Sequence, residues 1–148
     1  MASLFSSHTF VQSISLIDLP LYSVDADINP IPVIVSEFRS QCADSDAIII
    51  STPEYLHNIP AVLKNALEWL KSNGQLYHKR VLAITLTPKE PRGEKAMNSL
   101  LHSLQALEAQ IIGSLALYQD ELTFHESVII INDENAEILR EAITLLTT

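Results

Sequence analysis

A ring, an acid and a fixed backbone turn follow one another at Pro53-Glu54-Tyr55, inside the stretch Ser51-Thr52-Pro53-Glu54-Tyr55-Leu56-His57-Asn58. That combination suits a flat aromatic ligand held by stacking and main-chain hydrogen bonds, with the ligand supplying the chemistry. It equally suits a tight strand-to-helix turn that binds nothing. A second polar stretch, Thr87-Pro88-Lys89-Glu90-Pro91-Arg92-Gly93, follows another apolar run. Neither sets a nucleophile beside a base: there is no Gly-x-Ser-x-Gly turn, paired-cysteine motif or Walker sequence. The five histidines (His8, His57, His78, His102, His125) lack metal-ligand spacing, so no metal is expected. His57 reads as a solvated or turn-stabilising residue, and the single cysteine, Cys42, as a small buried hydrophobe.

The elements around these stretches alternate in period. Residues 10–17 alternate apolar and polar loosely, as a partly covered strand does. Apolar residues at Ile34, Val35, Phe38 and Cys42 give a helical spacing that opens after Pro32. Ala47-Ile48-Ile49-Ile50 and Val81-Leu82-Ala83-Ile84-Thr85-Leu86 are short runs of the kind buried on both faces of a parallel sheet. Between them, Ile59, Val62, Leu63, Ala66, Leu67 and Leu70 stripe a helix, with Asn58 as cap, Pro60 in its first turn and Asn73-Gly74 at its end. Met97, Leu100, Leu101, Leu104 and Leu107 stripe a second helix, 111–117 reads as a strand, 128–131 as a short one, and a last helix covers 138–146. Strand–helix alternation means an α/β fold with a parallel sheet and helices on both faces. Ligands in such folds sit outside the carboxyl ends of the strands, where 52–58 and 87–93 fall.

The 148 residues suffice for one domain, and 47% hydrophobic with 18% charged residues excludes disorder. Nine Lys and Arg against 18 Asp and Glu leave a net charge of −9. Nucleic acid and anionic membranes, which are bound mainly through basic residues, are not expected partners. No apolar run approaches about 18 residues, and no basic segment leads into an apolar one at the N-terminus. A soluble, cytoplasmic chain is expected.

The dense run Thr52-Pro53-Glu54-Tyr55, then Ile59-Pro60-Ala61-Val62-Leu63-Lys64-Asn65-Ala66-Leu67-Glu68-Trp69-Leu70, resembles the signature of the NADPH-dependent FMN reductase family. Its usual form is T-P-E-Y-N followed by P-G-x-L-K-N-A-[LI]-[DE]-W. Looser similarity runs over 17–117, including Asp18-Leu19-Pro20-Leu21-Tyr22 and Pro91-Arg92-Gly93. The resemblance implies a flavodoxin-like three-layer sandwich that binds FMN and takes hydride from NAD(P)H. The electrons would pass to a small acceptor such as a quinone, free flavin, metal oxyanion or azo compound. It implies flavin contacts at Pro53, Glu54 and Tyr55, at Leu56 through its backbone (the usual Asn is replaced), and at Thr87. No residue is implied as an acid or base catalyst. Relatives are commonly homodimers or homotetramers, and Trp69, off the helix's apolar stripe, is expected under a loop or at a subunit contact.

The family opens with a strand, a phosphate-binding loop G-S-x-R and a helix, all ahead of the segment at 10–17. Nine residues precede that segment here, none of them Gly or Arg, whereas those three elements need about 30. The expectation is one domain over 1–148 lacking the first strand and first helix, with strand edges open to addition. FMN phosphate would lose its helix N-terminus. Several charge-assisted hydrogen bonds forgone cost on the order of 3–6 kcal/mol, a hundred- to ten-thousand-fold in affinity at about 1.4 kcal/mol per decade. The purified chain is therefore expected to be colourless or substoichiometric in flavin. The alternative is a flavin-free fragment or pseudoenzyme that serves as an oligomerisation or interaction module.

Overall fold

The computed structural model describes residues 12–28, 30–125, 128–131 and 133–147. In chain order these form α1 (Val33–Asp44), β1 (Ala47–Thr52), α2 (Ala61–Trp69), β2 (Arg80–Thr87), α3 (Glu94–Ala106), β3 (Gln110–Tyr118), β4 (Leu122–His125), β5 (Val128–Ile131) and α4 (Asp133–Thr147). Strands β1, β2 and β3 pair in parallel in that order, with Thr52 opposite Thr85 and Thr85 opposite Ala116. Parallel neighbours need crossovers, and α2 and α3 supply them.

The β-branched and aliphatic runs become strands because helices cover both faces of the sheet. Val81 and Ala83, on one face of β2, share a core with Val35 and Phe38 of α1, Leu63 and Leu67 of α2, and Leu100 and Leu104 of α3. Leu82 and Ile84, on the other face, pack with Leu117 of β3 and with Leu139 and Leu146 of α4. Each such aliphatic side chain taken out of water contributes about 1.5–3 kcal/mol. The result is the expected α/β arrangement of helix layer, parallel sheet and helix layer.

Residues 12–16 are not a strand, contrary to the expected strand at 10–17; residues 10 and 11 lie outside the described region. Alternation alone makes no strand without a partner for the backbone. Here Ile14 and Leu16 pack instead against the first core. Helix α2 begins after Pro60, its cap, at φ −56° and ψ 147°, much as α1 begins after Pro32 at φ −57° and ψ 138°. Asn58, expected as the cap, lies before this start, and its Oδ1 accepts from the Ile59 N–H at 2.8 Å. The helix ends at Trp69, ahead of the expected stop, although Gly74 does take a left-handed φ of +65°. The strand at Val128–Ile131 forms, but it pairs antiparallel with β4 in a separate two-stranded sheet.

Candidate functional site

The backbone following β1 folds back at once. Thr52 is buried and its Oγ1 donates to the Pro53 carbonyl at 3.0 Å. Tyr55 and Asn58 then exchange both backbone hydrogen bonds at 2.9 Å. Between them Leu56 (φ +50°) and His57 (φ +60°) are both left-handed, the geometry of a type I′ turn. Asn, Asp and Gly ordinarily occupy such positions, and a bulkier L-residue there costs roughly 1–2 kcal/mol. Leu56 makes the turn although its side chain is fully exposed, and Tyr55 is 62% exposed beside it.

Glu54 points away from this tip. Its Oε2 accepts the backbone N–H groups of Lys95 and Ala96, both at 3.1 Å, at the start of α3. His57 Nδ1 lies 3.6 Å from Oε1. Burial by itself would raise the Glu54 pKa, but the hydrogen bonds from Ala96, His57 and Lys95 outweigh it and hold the carboxyl below its usual range. A carboxylate on free N–H groups at a helix N-terminus is favoured by the helix dipole.

The loop after β2 is tied to itself. Thr87 is buried, and its Oγ1 donates to the Arg92 carbonyl at 2.9 Å. Gly93 follows at φ +103°, where a Cβ would stand 3.0 Å from Thr85 Oγ1. The expected site residues therefore divide. Tyr55 and Leu56 present themselves on the surface with half-buried Pro53 behind them, while Glu54 joins one loop to the other and Thr87 shapes the second.

Sequence reasoning left the roles of Asn65 and Trp69 open, and the structure assigns them to one loop. The Pro20 carbonyl accepts from Asn65 Nδ2 at 2.9 Å and from Trp69 Nε1 at 2.7 Å. Asn65 Oδ1 in turn accepts the Tyr22 N–H at 2.7 Å, and the Tyr22 ring meets Trp69 edge-on at 5.1 Å. Trp69 is wholly buried under this loop. Arg39 was not singled out, and it proves to be the anchor behind Trp69. Its Nε donates to the Trp69 carbonyl at 2.8 Å, and its Nη2 donates to Asp27 at 2.6 Å and Ser72 at 2.8 Å. A lone arginine inside the apolar stripe of α1, next to Phe38, was the available signal. Cys42 is buried, and that burial pushes its thiol up to about 11, so it is an inert core residue.

Among the described residues, no group of three or more His, Cys, Asp or Glu could hold a metal ion, and no helix is long and apolar enough to cross a membrane. Residues 6–121 match the family described as NADPH-dependent FMN reductase. A 2-hydroxy-1,4-benzoquinone reductase from a Burkholderia species is 44% identical over 69 residues, which are 47% of this chain and 37% of that protein. A quinone reductase of Escherichia coli K12 is 33% identical over 103 residues, 66% of this chain and 54% of that one. The chain thus spans about half or less of the length of these relatives. Among solved structures, an NADH:FMN oxidoreductase in its apo form superposes with a TM-score of 0.70 at 20% identity, covering 90% of this chain and 68% of that one. An NAD(P)H:(acceptor) flavoenzyme from Paracoccus denitrificans gives 0.66 at 22%, covering 88% and 75%. These two likenesses are likenesses of fold, which is flavodoxin-like.

Proposed function

The chain belongs to the NADPH-dependent FMN reductase family, and from that premise we propose that it uses FMN to carry electrons from NAD(P)H to a small acceptor, a quinone above all. The observation that carries this reading is the pair of loops at the carboxyl ends of β1 and β2. One offers an exposed Tyr55 and Leu56 on a strained turn, and Glu54 fastens it to the helix that follows the other. Strain kept at an exposed apolar tip is characteristic of a binding site rather than of a plain connection. Relatives named quinone reductase and flavin reductase support the same reading.

The residues present suit the ring end of FMN. Tyr55 and Leu56 supply exposed apolar surface for a flat ring, and Pro53 with its neighbours supplies main-chain groups. Thr87 acts indirectly, by fixing the 87–93 loop through Arg92. Glu54 holds the two loops in register and, its carboxylate already filling the N-terminus of α3, keeps a phosphate from that position. When bound, FMN supplies a two-electron carrier between the dinucleotide and the acceptor, so these side chains need only bind, orient and exclude water. A homodimer or homotetramer in the cytoplasm completes the proposal, with exposed apolar side chains at Leu21, Val24, Ile28 and Val33 available for subunit contact.

The test is a titration of FMN into the full chain, followed by flavin fluorescence, and then NADPH oxidation with and without benzoquinone. The expected result is saturable quenching, and oxidation that needs protein, FMN and quinone together. No quenching up to about 1 mM FMN, a free energy weaker than about −4.1 kcal/mol, overturns the proposal.

A further inference from the structure

Asn73 and Gly74 lie side by side in the turn between α2 and β2, and both are exposed. Gly74 holds a left-handed φ of +65°, and a Cβ there would meet nothing closer than Tyr77 Cβ at 3.7 Å. Among the described residues the Gly74 N–H donates to no carbonyl, and the Asn73 side-chain amide has no hydrogen-bond partner. An unhindered glycine amide beside an unengaged asparagine side chain is the arrangement from which a cyclic imide forms. The Gly74 nitrogen, its proton taken by water or hydroxide, bonds to Asn73 Cγ, and the side-chain nitrogen leaves as ammonia. Water then opens the imide at either carbonyl. One opening gives aspartate; the other gives isoaspartate, whose main chain is one methylene longer. Nothing is oxidised or reduced, and water is the only co-reactant.

The other described asparagines are held out of this chemistry. Asn58 Oδ1 accepts at 2.8 Å from the Ile59 N–H, whose nitrogen is the one that would have to attack. Asn65, inside α2, has both side-chain ends engaged, with Tyr22 and Pro20. Asn98 lies within α3, where the next N–H belongs to the helix ladder, and Asn135 Nδ2 donates to Glu121 Oε2 at 3.1 Å. The neighbour of Asn73 gives its reaction a consequence. Ser72 Oγ accepts from Arg39 Nη2 at 2.8 Å, and Arg39 also holds Asp27 and the Trp69 carbonyl. We propose that Asn73-Gly74 is a site of spontaneous deamidation in the folded chain, and that its isoaspartyl product draws Ser72 off Arg39 and loosens the anchor behind Trp69.

The experiment ages the full chain at mildly alkaline and mildly acid pH, folded and in urea, and follows it by peptide mass mapping with isoaspartate detection. In the folded chain the peptide carrying Asn73 should gain one mass unit, and faster at alkaline pH. Its rate should stay within about tenfold of the rate in urea, a barrier difference below about 1.4 kcal/mol. Asn73→Gln should stay unconverted over the same period, because its imide needs a six-membered ring. The isolated isoaspartyl chain should show red-shifted Trp69 emission and a lower urea midpoint. Asn73→Asp, which adds the charge without the extra methylene, should keep the parent values. An Asn73 that converts in urea but stays intact in the folded chain, or equal conversion at Asn58, overturns the site. Parent emission and midpoint in the isoaspartyl chain, or the same change in Asn73→Asp, overturns its coupling to Arg39.

Discussion

Glu54 and Ala96 are 42 residues apart in sequence, yet the carboxylate of the first accepts the backbone N–H of the second at 3.1 Å. This contact, doubled at Lys95, makes one unit of the two loops that leave the carboxyl ends of β1 and β2. Glu54→Ala leaves both N–H groups without that acceptor and should destabilise the chain by about 1–2 kcal/mol, measured by urea unfolding. The pH dependence has a definite sign. The folded pKa lies below the usual 4.5, so the contribution is present above 4.5 and is lost as pH falls through the lower folded value. Glu54→Gln should therefore flatten the acid limb of stability against pH, and an unchanged limb would refute the contact.

The Pro20 carbonyl has two donors, Asn65 Nδ2 and Trp69 Nε1. Losing one leaves it satisfied, so Trp69→Phe should cost only about 1 kcal/mol. In combination with Asn65→Ala the carbonyl loses both. The double variant should cost about 1 kcal/mol more than the sum of the singles, a coupling that a double-mutant cycle reads directly.

Arg39 and Asp27 form a buried pair, their side chains 5% and 6% exposed. Burial raises the Asp27 pKa, but Ser72 and Arg39 together more than reverse this and hold it below 3.8. Removing one partner leaves a buried charge, so Arg39→Met should destabilise by about 3–5 kcal/mol. Replacing both, with Asp27→Leu, should recover much of that loss in the same denaturation assay.

Leu56 occupies a left-handed position with no packing to lose. Leu56→Asn should stabilise the chain by about 0.5–1 kcal/mol, since Asn tolerates that region. A stabilised variant that also binds FMN less tightly would show that the leucine is kept for its apolar surface.

Much of this was legible in the chain before any fold was known. The unbroken apolar run of β2 announces a strand covered on both faces, and the stripe through Leu63 and Leu67 announces α2, because both patterns are local. The contact of Glu54 with Ala96 is not local: nothing in residues 51–58 says that a helix 40 positions on will bring its N–H groups there. The same holds for Trp69, whose loop partner comes from residue 20. The alternation at 10–17 misled because period two marks any segment with one covered side, and here Ile14 and Leu16 are partly buried against the first core without a strand partner for their backbone. β4 was passed over because Leu122–His125 is four residues long and acquires its identity from β5.

Trp69 is the one tryptophan in the sequence, and it sits with its N–H on the Pro20 carbonyl and its ring against Tyr22 and Arg39. The intrinsic emission of this protein is therefore a local gauge. It reports the seating of the 18–22 loop on α2, 49 residues away in sequence from its own indole, rather than the melting of the sheet. An emission shift to the red that precedes loss of the far-ultraviolet helix signal would mark that loop lifting off while the layers beneath it still stand.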